Sequence, residues 1–69
     1  MPGNFVKRRI AELVRADARA VMALADLGIS PRYVYWTLEE AAADLQLSLD
    51  RVIRRFTELA PAAVTIPVA

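Results

Sequence analysis

The sequence predicts an all-α protein, and three observations carry that expectation. Thirteen of 69 residues are Ala and eight are Leu, while Gly occurs twice, a balance that favours helix over sheet. Apolar residues recur at helical spacing in two stretches on either side of an aromatic segment. Residues that start and stop helices bracket both stretches. The chain is one small helical domain over 1–69, with 1–4 and 61–69 expected to be extended or mobile tails.

In the first stretch, Asn4 can cap a helix that begins at Phe5. Val6, Ile10, Leu13, Val14, Ala20, Val21, Leu24 and Ala25 then fall in one stripe at about 100° per residue, which Val14 and Val21 widen. Gly28 ends the helix as a left-handed cap, and Ile29 can fold back on Leu24 in a Schellman arrangement. The expected first helix is about 5–27.

Ser30-Pro31 is the next start signal, a capping hydroxyl followed by proline at the first helical position. Thr37 and Glu40 then fit a capping box, each satisfying a backbone amide of the other. From there Leu38, Ala42, Leu45, Leu49, Val52, Phe56 and Leu59 alternate steps of four and three, a heptad seam. Pro61 ends it. The second expected helix is about 37–60, and the two form an antiparallel two-helix hairpin. One hairpin leaves part of both apolar stripes uncovered, so two hairpins are expected to pair as a homodimer, a four-helix bundle.

A second arrangement breaks the seam at residues 46–48, where Ser48 would cap a new helix and Asp50 would sit in its first turn. Residues 38–57 then resemble the helix-turn-helix DNA-binding family. Ala42 matches the small residue of that motif's first helix, Leu45 and Leu47 flank the turn, and Val52 matches the buried residue of the recognition helix. Three positions depart from the pattern. Gln46 replaces the turn glycine, Leu49 stands at a polar position, and Arg55 stands at an apolar one. The resemblance implies a small DNA-binding regulator. A second partial match, Leu27-Gly28-Ile29-Ser30 with Val34, has the glycine but puts Leu24 at the small position. Its second helix would run into Glu39, Glu40 and Asp44, which phosphates repel.

Asp17 interrupts the apolar stripe of the first helix, and a buried carboxylate needs a partner. In the hairpin that partner is Ser48, Arg51 or an Arg of a second copy; Asp17 could instead cap a separate helix over 18–27. The formal net charge of +1 hides an uneven distribution along the hairpin. Residues 1–16 and 48–69 balance to +4, and residues 17–47 to −3. A basic patch of Lys7, Arg8, Arg9, Arg51, Arg54 and Arg55 could meet phosphates or an acidic protein face, or the acidic end of a second hairpin. Tyr33, Tyr35 and Trp36 beside Arg32 concentrate residue types common in binding hot spots. They are the expected partner-binding site, although one or two of them could plug the end of the bundle.

The chain has no Cys and no His, so it has no disulfide, no thiolate zinc site and no Ser-His-Asp triad. It has no Gly-rich phosphate loop, and Glu40 and Asp44 one turn apart read as a solvated face. No enzyme activity, cofactor or metal is expected. No apolar run approaches the roughly 18 residues of a membrane span, and Met1-Pro2-Gly3-Asn4 lacks the apolar core of a secretion signal. The expectation is a cytoplasmic protein without membrane contact, which binds another protein and modulates or inhibits it. A DNA-binding regulator is the alternative.

Overall fold

The computed structural model describes residues 4–65, and among these the only β feature is an isolated bridge. A 3-10 turn at Asn4–Lys7 leads into α1 (Ile10–Ala16) and α2 (Ala20–Leu27). A second 3-10 turn at Pro31–Tyr33 precedes α3 (Leu38–Asp44), α4 (Leu49–Leu59) and α5 (Pro61–Val64). The all-α class stands, but neither long helix forms.

The expected helix 5–27 breaks in two places. Arg9 is extended and bridges Thr37, and Ile10 and Ala11 donate backbone hydrogen bonds to the carbonyls of Trp36 and Val34 at 2.9 and 2.8 Å. The second break is at Asp17, which is extended and only 7% exposed. Its Oδ1 accepts from the Arg19 amide at 3.0 Å, and both carboxylate oxygens accept from the Arg19 guanidinium at 2.9 Å. Oδ2 also accepts from the amide of Ala62 at 3.2 Å. A carboxylate inside an apolar stripe is tolerable only when its lone pairs are filled. The chain fills them by leaving the helix, so Asp17 starts α2 and holds the beginning of α5. Its partner is Arg19, not Ser48, Arg51 or an Arg of another copy.

The expected helix 37–60 breaks at residues 45–48. Leu47 and Gln46 donate to the carbonyls of Ala42 and Ala43 at 2.8 and 3.2 Å, the double closure of a Schellman turn. Gln46 takes φ 57° there. Ser48 then caps α4, its hydroxyl accepting from the Arg51 amide at 3.4 Å. The heptad seam reads through this turn because most of its members still point inward. Leu38, Ala42, Val52 and Phe56 are buried, whereas Leu49 faces out and Leu47 packs on the core in its place. Pro61 ends α4 as expected but also opens α5, whose Ala63 is buried. Pro61–Val64 is therefore a docked helix and not an extended tail; 1–3 and 66–69 lie outside the described residues.

The remaining start and stop signals act locally as read. Gly28 is left-handed at φ 75°, with Ile29 donating to Leu24 at 2.9 Å. Ser30 caps Pro31–Tyr33, and Thr37 and Glu40 form both bonds of the capping box. α2 packs on α4 through the buried Ala20 and Ala23, whose small side chains let the backbones approach. Phe56, Ile10, Leu13, Leu38 and Val52 are the largest fully buried side chains, and the Phe5 ring sits 5.6 Å from that of Phe56. The Cα radius of gyration, 10.2 Å, is close to the roughly 11 Å expected of a compact chain this long. One copy closes its own core, so the argument that pairing is needed to cover two stripes no longer applies.

Two measurements check these turns. A left-handed non-glycine residue costs about 1–2 kcal/mol, part of which glycine returns as chain entropy. Gln46→Gly should therefore stabilise the domain by about 0.5–1 kcal/mol in urea unfolding, whereas in a continuous helix it would cost about 1 kcal/mol. The second measurement is an acid titration. The Arg19 guanidinium, bonded to the Asp17 carboxylate, holds Asp17 below the usual carboxylate range. The amide and hydroxyl of Thr37 do the same for Glu40. In the unfolded chain both groups protonate near pH 4; in the folded chain they do so at lower pH. Their contribution is complete above about pH 4 and is lost as pH falls through the folded values. The melting temperature should drop below about pH 4, and Asp17→Asn should flatten the drop.

Candidate functional site

α4 carries the densest set of exposed charged groups around one helix. Val52 and Phe56 are its buried side. At about 100° per residue, Asp50, Arg54 and Thr57 form an outward stripe, with Leu49 and Ile53 along one border and Arg51 along the other. Arg54 Nη2 lies 3.6 Å from Asp50 Oδ2, and the two side chains are 71% and 86% exposed. Arg51 is exposed and makes no ion pair among the described residues. Ser48 opens the stripe at the helix N-cap.

Arg55 does not belong to this face. Its Nε donates to Asp26 of α2 at 2.7 Å and its Nη1 to Glu58 at 3.4 Å. The Asp26 carboxylate, with Glu58 behind it, raises the Arg55 pKa further above its usual range. Arg55 occupies an inward-flanking position because its stem can lie on α2 while its head leaves for Asp26. The expected six-residue basic patch is thus divided among separate tasks. Arg8 pairs with Glu12 at 3.2 Å, Arg9 donates to the Tyr35 carbonyl at 2.6 Å, Arg55 ties α4 to α2, and exposed Lys7 lies in the first 3-10 turn. The separation into a basic and an acidic end is lost with the hairpin, since Arg55 and Asp26 come from opposite ends of it.

The aromatic segment divides as well. Tyr33 is buried, and its hydroxyl donates to Asp44 Oδ2 at 2.6 Å. That bond to the carboxylate raises the phenol pKa, as burial does. Trp36 meets the Tyr33 ring edge-on at 4.9 Å and 83°, and the Arg32 guanidinium lies 5.0 Å from its centroid. Tyr33 is therefore the plug of this end of the molecule. Tyr35, 75% exposed, and Trp36, 37% exposed, point outward, and with Arg9 and Glu40 they line an open cleft of about 300 Å³.

One feature escaped the sequence reading. Ile10, Val14, Val21, Leu24, Ile29 and Val34 line an apolar groove of about 280 Å³ between α1, α2 and the Pro31–Tyr33 turn. Its sequence signal was the widening of the first stripe by Val14 and Val21. Val21 and Leu24 lie well round α2 from Asp26, the residue that reaches α4, so the groove opens away from α4. Met22, 62% exposed, lies next to Val21 in the chain.

Among the described residues no group of three or more Asp or Glu side chains could hold a metal ion. No helix among them is long and apolar enough to cross a membrane. Comparisons with protein-family models, with curated proteins and with solved structures find no match for this chain.

Proposed function

We propose that this protein is a small DNA-binding regulator, with α3, the turn at 45–48 and α4 as its helix-turn-helix and α4 as the helix that enters the major groove. The observation that carries this reading is the turn. Gln46 adopts the left-handed conformation that the motif usually takes with glycine. Ala42 and Val52 are buried at the motif's small and apolar positions. The departure at Arg55 is accommodated by Asp26, and Leu49, exposed at the start of α4, can touch a thymine methyl group in the groove. A helix presenting Arg51 and Arg54 outward suits a groove about 12 Å wide, flanked by phosphates. The test is anisotropy titration of a labelled duplex. The double variant Arg51→Ala/Arg54→Ala should weaken binding at least tenfold without lowering the melting temperature.

A second reading, a regulator that binds another protein or a second copy of itself and so modulates or inhibits its target, is favoured by the apolar groove and by Val21, which lines it and is 53% exposed. Large apolar residues grouped at a surface groove mark interaction sites more often than scattered ones do. Val21→Glu separates the two readings. It should abolish binding to a protein partner while leaving duplex affinity unchanged.

A further inference from the structure

Resting on the DNA-binding reading, we infer that Asp50 and Arg54 act as a couple that selects a G·C base pair. The two are one turn apart on the outward stripe of α4, with Asp50 Oδ2 and Arg54 Nη2 3.6 Å apart. Exposed pairs of this kind add little to stability; a carboxylate at Asp50 suits the first turn of α4, a position that asks for no guanidinium beside it. On a surface used only to hold phosphates the carboxylate would be a defect, because it repels them. In the major groove it has a use. The edge of a G·C pair places the two acceptors of guanine, O6 and N7, beside the N4 amino donor of cytosine. A guanidinium fork satisfies the first and a carboxylate the second. The Asp50–Arg54 contact puts the fork and the carboxylate side by side on one face of α4, so both can reach the same base-pair edge. An A·T pair lacks the double acceptor and carries the thymine methyl in the same region. Asp50 also disfavours sequences that place the amino donor out of its reach, as an A·T pair does by carrying it on adenine N6 beside N7, since the carboxylate then faces the phosphate field unpaired.

The experiment is selection of bound duplexes from a pool with a randomised core, using the full chain and two variants whose melting temperatures are checked in parallel. The wild type should enrich one G·C pair, preferred about tenfold or more over A·T at that position. Arg54→Ala should lose the preference there and keep those at other positions. Asp50→Asn should bind random duplex more tightly than the wild type and discriminate less at that pair. Unchanged enrichment in Arg54→Ala overturns the inference, as does Asp50→Asn with the wild-type preference intact. If the wild type binds duplex but enriches no G·C pair, the couple is not a reader, although the DNA-binding reading survives. If the wild type binds no duplex, both fail.

Discussion

Phe56→Ala should cost the domain a large share of its stability. Phe56 is fully buried on α4 and meets Phe5 of the N-terminal 3-10 turn, so one side chain joins the two ends of the described chain. Truncating a buried Phe costs about 3–5 kcal/mol, through lost transfer energy and the cavity left behind. At about 0.05–0.15 kcal/mol per residue, a chain of this size has about 3–10 kcal/mol in total. The loss is therefore between about a third and all of the stability. Circular dichroism should show a broad, low-temperature transition or none, while Tyr35→Ala, which removes an exposed ring, should melt like the wild type. A cooperative transition within a few degrees of wild type for Phe56→Ala would mean that Phe56 is not at the centre of the core.

The second large effect is on duplex binding. Affinity that comes from phosphate contacts is counterion release, and its logarithm falls with the logarithm of salt at about −0.9 per phosphate. With about two phosphates engaged, raising salt from about 50 to about 200 mM should weaken binding about tenfold. The net charge of the chain is only +1, so the slope must come from a local face and not from the molecule as a whole. Arg51→Ala should lower the slope by about one and weaken all sequences alike, as expected of a phosphate contact. Arg54→Ala should instead change which sequences bind. A salt-independent affinity would argue against phosphate contact altogether.

Local signals were legible in the sequence wherever one residue type does one job. Gly28, Ser30-Pro31 and the Thr37–Glu40 capping box each act within a few residues, so spacing alone identifies them. Helix continuity was harder to read. The heptad from Leu38 to Leu59 stays in phase because the 45–48 turn happens to return Val52 and Phe56 to the core side. The clues to the break, Leu47 out of register and Ser48 as a cap, were single residues set against seven. Asp17 signalled a problem in the first helix, and its main partner, Arg19, is only two residues away, but its bond from the Ala62 amide, 45 residues away, is encoded in no local pattern. A separation of 29 residues hid the role of Arg55, which is explained only once Asp26 lies beside α4. Of the candidate site, Tyr35 and Trp36 are exposed as an aromatic cluster suggests, while Tyr33 turns inward because Asp44 offers its hydroxyl a partner. The apolar groove needed three elements to be assembled before it existed.

The most direct test of the central claim, that α4 presents a DNA-reading face, is a duplex titration of isotope-labelled protein followed by amide chemical shifts. The account predicts saturable shifts centred on residues 48–54, with Val21, Leu24 and Val34 unmoved. Shifts centred on those three groove residues, or none at any duplex concentration in low salt, would contradict it.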